Sequence, residues 1–225
     1  MSINVVERID DLVKVQNILV SVSDKSGLDR FIPDLVEMNP QIQIFSTGGT
    51  FARINEIIGE SAGGRLMQVS DFTGQPETQG GLVKTLDFKI YLGLLTETYN
   101  DAHQKDLKRT GSVPIDMVVV NLYPFKETIS GRDVTVEQAR GNIDIGGPCM
   151  IRASAKNFIR VASVVDPADY GRIIAVLKEN RGSTSLELRF DLARKAFDHT
   201  AAYDRTIADF LVSKQTGDVI NCYQL

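Results

Sequence analysis

The sequence predicts a three-layer α/β domain: a parallel sheet with helices on both faces and further helices at the C-terminal end. Three observations support this. Apolar, β-branched segments such as Val118–Val120 are typical of buried strands. Helical segments alternate with these strands along the chain, and residues 186–214 are predicted to be helical. Because alternating strands and helices form parallel sheets covered on both sides, we expect one such domain.

Strands and helices can be assigned in order along the chain. The predicted strands are 18–23, 42–46, 66–69, 116–122 and 160–165. The predicted helices are 26–37, 51–58, 167–180 and 186–214, the last as two helices, with Pro33 straining the first. Residues 1–15 are predicted to be a loose N-terminal extension, and residues 16–225 a single domain.

Composition excludes several classes of function. The 225 residues include 25 basic and 29 acidic side chains, a net charge of −4 that gives no electrostatic reason to expect nucleic-acid binding. Cys149 and Cys222 are the only cysteines, and His103 and His199 the only histidines. A disulfide framework or a metal site is therefore not expected. Without a signal-peptide pattern or a membrane-length segment, the prediction is a cytoplasmic protein.

Two strand-to-helix turns carry small polar residues. Residues 21–27 offer hydroxyl groups and Lys25, and residues 47–50 offer two threonines and two glycines. Helix starts favour anions, and glycine lets the backbone wrap a phosphate. Ordinary helix capping explains either turn alone, but together they favour a phosphate site. Neither turn has P-loop spacing and no G-x-G-x-x-G occurs, so ATP hydrolysis and dinucleotide binding are not supported.

Polar residues also follow the strand at 116–122. Asn121 and Tyr123 lie at its carboxyl end, where open α/β sheets bind ligands. Further on, Asp144 precedes Gly146 and Gly147, which places a carboxylate and backbone amides at a predicted helix start. Two such loops in one domain indicate an active site.

Several of these segments occur in the same order as in one known family. The chain resembles the IMP cyclohydrolase domain of the bifunctional purine-biosynthesis protein, over about residues 16–212. The resemblance implies a methylglyoxal synthase-like fold, and we expect the family's formyltransferase domain to be absent from these 225 residues. The matching segments are 21–27, 47–50, 83–86, 121–125, 143–147, 152–157 and 195–204.

The resemblance implies closure of the purine six-membered ring. The carboxamide nitrogen of a formylated aminoimidazole carboxamide ribotide attacks the formyl carbon, and water leaves to give IMP. This chemistry requires no metal or redox cofactor. It requires a clamp for the 5′-phosphate, proton transfer from a poor nucleophile, and stabilisation of charge on the tetrahedral oxygen.

The resemblance also implies roles for individual residues. The chemical residues would be Lys84, Tyr123, Asp144 and Lys156. A straight helix would separate the Cα atoms of Gly147 and Lys156 by about 13 Å, so Lys156 shares the site only if the helix is short or bent or its side chain reaches back. Gly146 and Gly147 amides are candidates for holding oxyanion charge. The substrate-binding residues would be Ser23, Asp24, Lys25, Thr47, Gly48, Gly49, Thr50, Val83, Thr85, Val120, Asn121, Ile145, Gly146 and Gly147.

Structural explanations compete with these roles. Lys84 could be a solvated cation, Tyr123 could seal the strand end, and Asp144 could cap the following helix. Lys156 could be a favourable cation in a last helical turn.

Three residues depart from the family pattern. Leu82 replaces an arginine, and Asp87 and Tyr91 replace histidines. If they faced an anionic nucleotide, these changes would weaken its binding. A degenerate nucleotide-binding or regulatory module is therefore one alternative. A methylglyoxal synthase-like lyase is another, although it would need a carboxylate–histidine set. The resemblance further implies a homodimer and a separate formyltransferase partner.

Overall fold

A parallel five-stranded sheet forms the centre of the protein. It is seen in a computed structural model that describes residues 5–75, 78, 83–131 and 133–224. Its strands are β2 (Asn17–Val22), β3 (Gln43–Ser46), β4 (Leu66–Gln68), β5 (Met117–Asn121) and β6 (Ala162–Val164). They lie in the order β4-β3-β2-β5-β6, and every neighbouring pair is parallel. The predicted fold class is thereby confirmed.

Helices cover both faces of this sheet. Ile18 and Val20 of β2 belong to one apolar core and Leu19 to the other, because successive side chains of a strand point to opposite faces. The first core is covered by α1 (Leu28–Met38), α2 (Gly48–Ile58) and α9 (Tyr170–Glu179). The second is covered by α4 (Phe88–Leu95), α8 (Gly146–Lys156) and α10 (Leu186–Val212). Shorter or peripheral helices are α3 (Val69–Thr73), α5 (Asp101–Thr110), α6 (Phe125–Ile129), α7 (Val136–Gly141) and α11 (Thr216–Ile220).

Part of the predicted N-terminal extension is integrated into the fold. β1 (Val13–Lys14) pairs antiparallel with β7 (Ser183–Thr184). The guanidinium of Arg189, which has no exposed surface, donates to the carbonyl oxygens of Asp10 and Asp11 at 2.8 and 3.0 Å. Residues 10–15 are therefore fixed rather than loose.

The C-terminal helical segment also differs from the prediction. Residues 186–212 form one continuous 27-residue helix, not two. The segment contains no glycine or proline, so nothing in its backbone chemistry interrupts it. Similarly, α1 continues through Pro33 as far as Met38. Within the described part of the chain, no helix is long and apolar enough to span a membrane.

The order of the strands determines where a ligand can bind. β2 and β5 are neighbours in the sheet but are far apart in sequence, so the strand order reverses between them. In open α/β sheets, ligands bind beyond the carboxyl ends of the strands at such a switch point. The loops after β2, β3 and β5 all meet at this edge.

Candidate active site

The start of α2 forms one half of the site. Gly48 has a φ of +44°, a conformation that disfavours other side chains, and both Gly48 and Gly49 are exposed. Lys84 Nζ lies 3.7 Å from the position that a Cβ of Gly48 would occupy, and Lys25 Cε lies 3.9 Å from the equivalent position at Gly49. Two lysines thus lie against bare backbone at a helix N-terminus, an arrangement suited to a phosphate.

The turn at residues 83–85 connects this half of the site to the other. The Lys84 side chain reaches the start of α2, as described above. The neighbouring Thr85 is buried, and its hydroxyl oxygen occupies the space that a side chain at Gly146 would need. Gly146 is the first residue of α8. One short turn therefore links the starts of α2 and α8.

Asp144 lies just before α8 and has a defined environment. Its Oδ1 accepts a hydrogen bond from the Gly147 amide at 2.9 Å. Burial raises the pKa of Asp144, although hydrogen bonds from the Gly147 and Tyr123 amides act in the opposite direction. A Cβ on Gly147 would lie 2.6 Å from both Asp144 Oδ2 and Leu122 Cδ2, so a glycine is required there. A partly buried carboxylate with a raised pKa can exchange protons nearer neutral pH.

Asn121 has a different place from the predicted one. Its Oδ1 accepts hydrogen bonds from the Ser23 and Asp24 amides at 2.6 and 2.9 Å, and its Nδ2 donates to the Asp24 carbonyl at 2.8 Å. These contacts use the two loop amides that a phosphate would otherwise bind. Asn121 therefore braces the loop carrying Lys25 rather than offering its amide to a ligand.

Other predicted binding residues are engaged within the protein. The Thr50 hydroxyl bonds to the Val22 amide and carbonyl, and Val120 is 1% exposed in the core, so neither side chain reaches a ligand. Asp24 Oδ1 accepts bonds from the Ser26 hydroxyl and amide, which lower the pKa of Asp24. Thr47 Oγ1 pairs with Ser21 Oγ at 2.8 Å, so it fixes one turn against the other.

Three predicted residues form an exposed apolar rim. Val83, Tyr123 and Ile145 are 42%, 58% and 57% exposed, respectively. They flank the Lys84–Thr85 turn, the end of β5 and the start of α8. Side chains exposed at these three places are accessible to a ligand. Tyr123 does not seal the strand end, because most of its side chain is in solvent.

Lys156 is not brought to this site. It lies in the last turn of α8, whereas Asp144 and Gly147 lie at the first turn. The helix is continuous over its 11 residues, so its two ends are about 15 Å apart. A lysine side chain is too short to cover that distance. Within one chain, Lys156 and Asp144 are therefore not in direct contact, and a catalytic role for Lys156 stays a prediction.

Two departures from the family pattern are structural. Asp87 caps α4, because its carboxylate accepts a hydrogen bond from the Lys89 amide at 2.7 Å. It also accepts a hydrogen bond from Gln75 Nε2 at 2.8 Å. Tyr91 packs against the core beneath α4 and α8, and burial raises the pKa of its phenol. The two residues thus serve helix packing. The third departure, Leu82, lies outside the described residues.

Replacing Asp87 with histidine is expected to destabilise the protein without tightening nucleotide binding. The change removes the cap of α4 and leaves the Gln75 amide without its acceptor, so the free energy of unfolding should fall by about 0.5–2 kcal/mol. Denaturant unfolding measures this. Phe88→His at the neighbouring exposed position is the control, and equal stability of the two variants would contradict this account.

One site residue has no predicted role. The hydroxyl of Tyr203 on α10 accepts a hydrogen bond from the Asp144 amide at 2.8 Å. Tyr203 lies within the motif 195–204, and only that motif signalled its importance. In the described part of the chain, no group of three His, Cys, Asp or Glu side chains is arranged to hold a metal.

The fold and site define the class of protein. Residues 27–149 match the model of the MGS-like domain family, and the chain belongs to that family. Residues 154–224 match a second model, described as the AICARFT/IMPCHase bienzyme.

Individual relatives share this similarity. The chain is 47% identical over 199 residues to the bifunctional purine biosynthesis protein PurH of Bacillus subtilis (strain 168) and 50% identical over 196 residues to that of Thermoanaerobacter sp. (strain X514). These matches cover 88% and 87% of the chain but only 37% of each relative. A solved structure titled "Crystal structure of ForH" is 28% identical, with a TM-score of 0.73, over 87% of this chain and 98% of that one.

Proposed function

We propose that the protein is an IMP cyclohydrolase. It closes the ring of formylated aminoimidazole carboxamide ribotide to give IMP and water, as part of purine biosynthesis. The observation that carries the proposal is the turn at residues 83–85. Through Lys84 and Thr85, it joins a phosphate-type helix start to a partly buried carboxylate at a second helix start. The similarity to PurH and to the AICARFT/IMPCHase bienzyme supports the same reaction.

The α2 start binds the 5′-phosphate of the ribotide. The Gly48 and Gly49 amides lie at the positive end of the helix dipole, and Lys25 and Lys84 add full positive charges. Ser21 and Thr47 hold the two turns together through their hydroxyl groups. The clamp fixes one end of the substrate, so its carboxamide and formyl groups, which belong to the same molecule, are held beside the catalytic groups in one orientation.

Asp144 moves the protons. As the C–N bond forms, its carboxylate takes a proton from the attacking carboxamide nitrogen. Asp144 returns this proton to the tetrahedral oxygen, which becomes a hydroxyl. The C=N bond then forms as the former formamide nitrogen releases its own proton and the hydroxyl leaves, and this second proton completes the departing water. The raised pKa of Asp144 suits both the acceptance and the return of a proton.

Charge on the tetrahedral oxygen needs donors and cations. The Gly147 amide is already bonded to Asp144, so it does not serve as an oxyanion donor. Among the described residues no hydrogen-bond acceptor is found for the Gly146 amide, which remains the candidate from this pair. Lys84 adds electrostatic stabilisation, and Tyr123 lies at the mouth of the site with its hydroxyl able to contact the substrate.

A degenerate binding module is the less supported alternative. Asp87 and Tyr91 are used for capping and packing, so they do not place a carboxylate or a phenol in the phosphate clamp. The lyase alternative needs a histidine beside the reacting atoms. His199 lies on α10 near Asp166 and Lys195, where burial lowers the pKa of its ring.

Ring closure tests the proposal directly. The purified protein is mixed with the formylated ribotide, and the absorbance change and loss of one water are followed. Formation of IMP with saturation in substrate is expected. Binding of the ribotide with no product would reject the enzyme and favour the module.

The proposal also includes the oligomeric state of the protein and the source of its substrate. We expect a cytoplasmic homodimer that receives its formylated substrate from a separate formyltransferase activity. The support is family resemblance and exposed apolar residues on α10, such as Phe190 and Leu211. Sedimentation at micromolar concentration should give twice the 24.8 kDa chain mass. A monomeric mass would contradict this expectation.

A further inference from the structure

Helix α10 is firmly held against the body of the protein. Near its N-terminus, the buried Arg189 donates to the carbonyl oxygens of Phe158 and Thr184 at 3.0 and 2.7 Å. Less than two turns later, Lys195 pairs with Asp166 and Asp169 at 2.7 and 2.8 Å. A helix fixed in this way can serve as a rigid support for residues on its next turns.

Tyr203 extends from this helix to the loop that carries Asp144. Its hydroxyl accepts a hydrogen bond from the Asp144 amide at 2.8 Å and donates one to the Asn142 carbonyl oxygen at 3.5 Å. Its ring contacts Phe125 edge to face, with 6.1 Å between ring centroids. Phe125 is itself 2% exposed. The phenol is thus located by packing, and its oxygen contacts both ends of the turn 142–144.

We infer that Tyr203 is a positioning residue that holds Asp144 in place for ring closure, an inference that rests on the proposed function. Hydrogen bonds to both the side chain and the backbone of Asp144 define its position. The Gly147 amide holds the side chain from α8, and the Tyr203 hydroxyl holds the backbone from α10. Without the second contact, the loop can shift relative to the bound substrate. A shift of about 1 Å in a catalytic group can cost about 10²-fold in rate.

Tyr203→Phe tests this role because it keeps the ring and removes only the hydroxyl. We expect kcat to fall about 10²-fold with little change in KM. The acidic limb of the rate profile should move to lower pH, since burial is the main cause that raises the pKa of Asp144 and a loosened loop admits water. Tyr99→Phe is the matched control, because it removes a tyrosine hydroxyl that donates to Asp10 at 2.6 Å.

Amide hydrogen exchange gives a readout that does not depend on turnover. In the unmodified protein, the Asp144 amide should exchange slowly, and Tyr203→Phe should accelerate it while Tyr99→Phe should not. Rapid exchange in the unmodified protein, or unchanged exchange in Tyr203→Phe, would overturn the inference. So would a loss of activity without movement of the acidic limb, which indicates only general destabilisation. If no ring closure is detected, the proposed function fails, whereas the exchange measurement still decides the role of Tyr203.

Discussion

Replacing Asp144 with asparagine is expected to lower kcat by about 10²–10⁴-fold, the usual contribution of a general acid–base group. Asparagine keeps an oxygen that can accept the hydrogen bond from the Gly147 amide, so the start of α8 is preserved. It cannot take the proton of the attacking carboxamide. KM should change little, because the phosphate clamp lies at α2 and not at Asp144.

The pH dependence of the unmodified enzyme follows from the same residue. Asp144 must be ionised to act as a base, and burial raises its pKa above the ordinary aspartate value. Turnover should therefore fall as the pH is lowered through this raised pKa, and Asp144→Asn should lose that limb. A variant that retains the limb would assign it to another group.

The free energy of unfolding should depend on pH in the opposite direction to the turnover rate. Since the folded-state pKa of Asp144 is raised, the stability it contributes is present below the unfolded pKa and is lost as the pH rises through the folded pKa. At neutral pH, Asp144→Asn should thus unfold at the same or higher denaturant concentration. Asp106→Asn, at an exposed carboxylate on α5 that pairs with Arg109 at 3.0 Å, is the control and should retain kcat. A destabilised Asp144→Asn protein with lost activity would not support a catalytic role.

Replacing Lys25 with alanine is expected to weaken the binding of IMP by about 10–100-fold, since a charge-assisted hydrogen bond contributes about 1.5–3 kcal/mol. The binding of inosine, which lacks the phosphate, should not change. KM should rise while kcat stays nearly constant, because Lys25 acts on the phosphate in both the ground state and the transition state. Calorimetry with both ligands measures the difference.

Controls separate the clamp from general charge effects. Lys126→Ala removes an exposed lysine from α6 and should leave both affinities unchanged. The effect of Lys25→Ala should shrink at high salt, where exposed charges are screened. Equal affinity of the unmodified protein for IMP and inosine would show that no phosphate clamp exists at α2.

The strands and the two helix starts could be predicted because their signals are local. β-branched runs define β2 and β5, and the glycines at 48–49 and 146–147 mark backbone that a ligand or a neighbouring loop approaches closely. The bracing role of Asn121 was not predictable, since its partners Ser23 and Asp24 are nearly 100 residues away in sequence. The same applies to Tyr203, whose contact with Asp144 depends on how α10 packs.

Lys156 shows the limit of matching motifs. The resemblance placed it with Asp144, but the two lie at opposite ends of an 11-residue helix. Asp87 gives a second example: its charge suggested a weakened pocket, whereas its carboxylate is used to cap α4. In both cases, the position of the side chain depends on backbone geometry, which is absent from the motif itself.

The central claim is that one ribotide spans the two helix starts. A crystal structure of the protein with IMP tests this most directly. The account predicts the phosphate at the Gly48 and Gly49 amides between Lys25 and Lys84, with the purine ring extending past Thr85 towards Asp144. A phosphate bound elsewhere, or a purine ring directed away from Asp144, would contradict it.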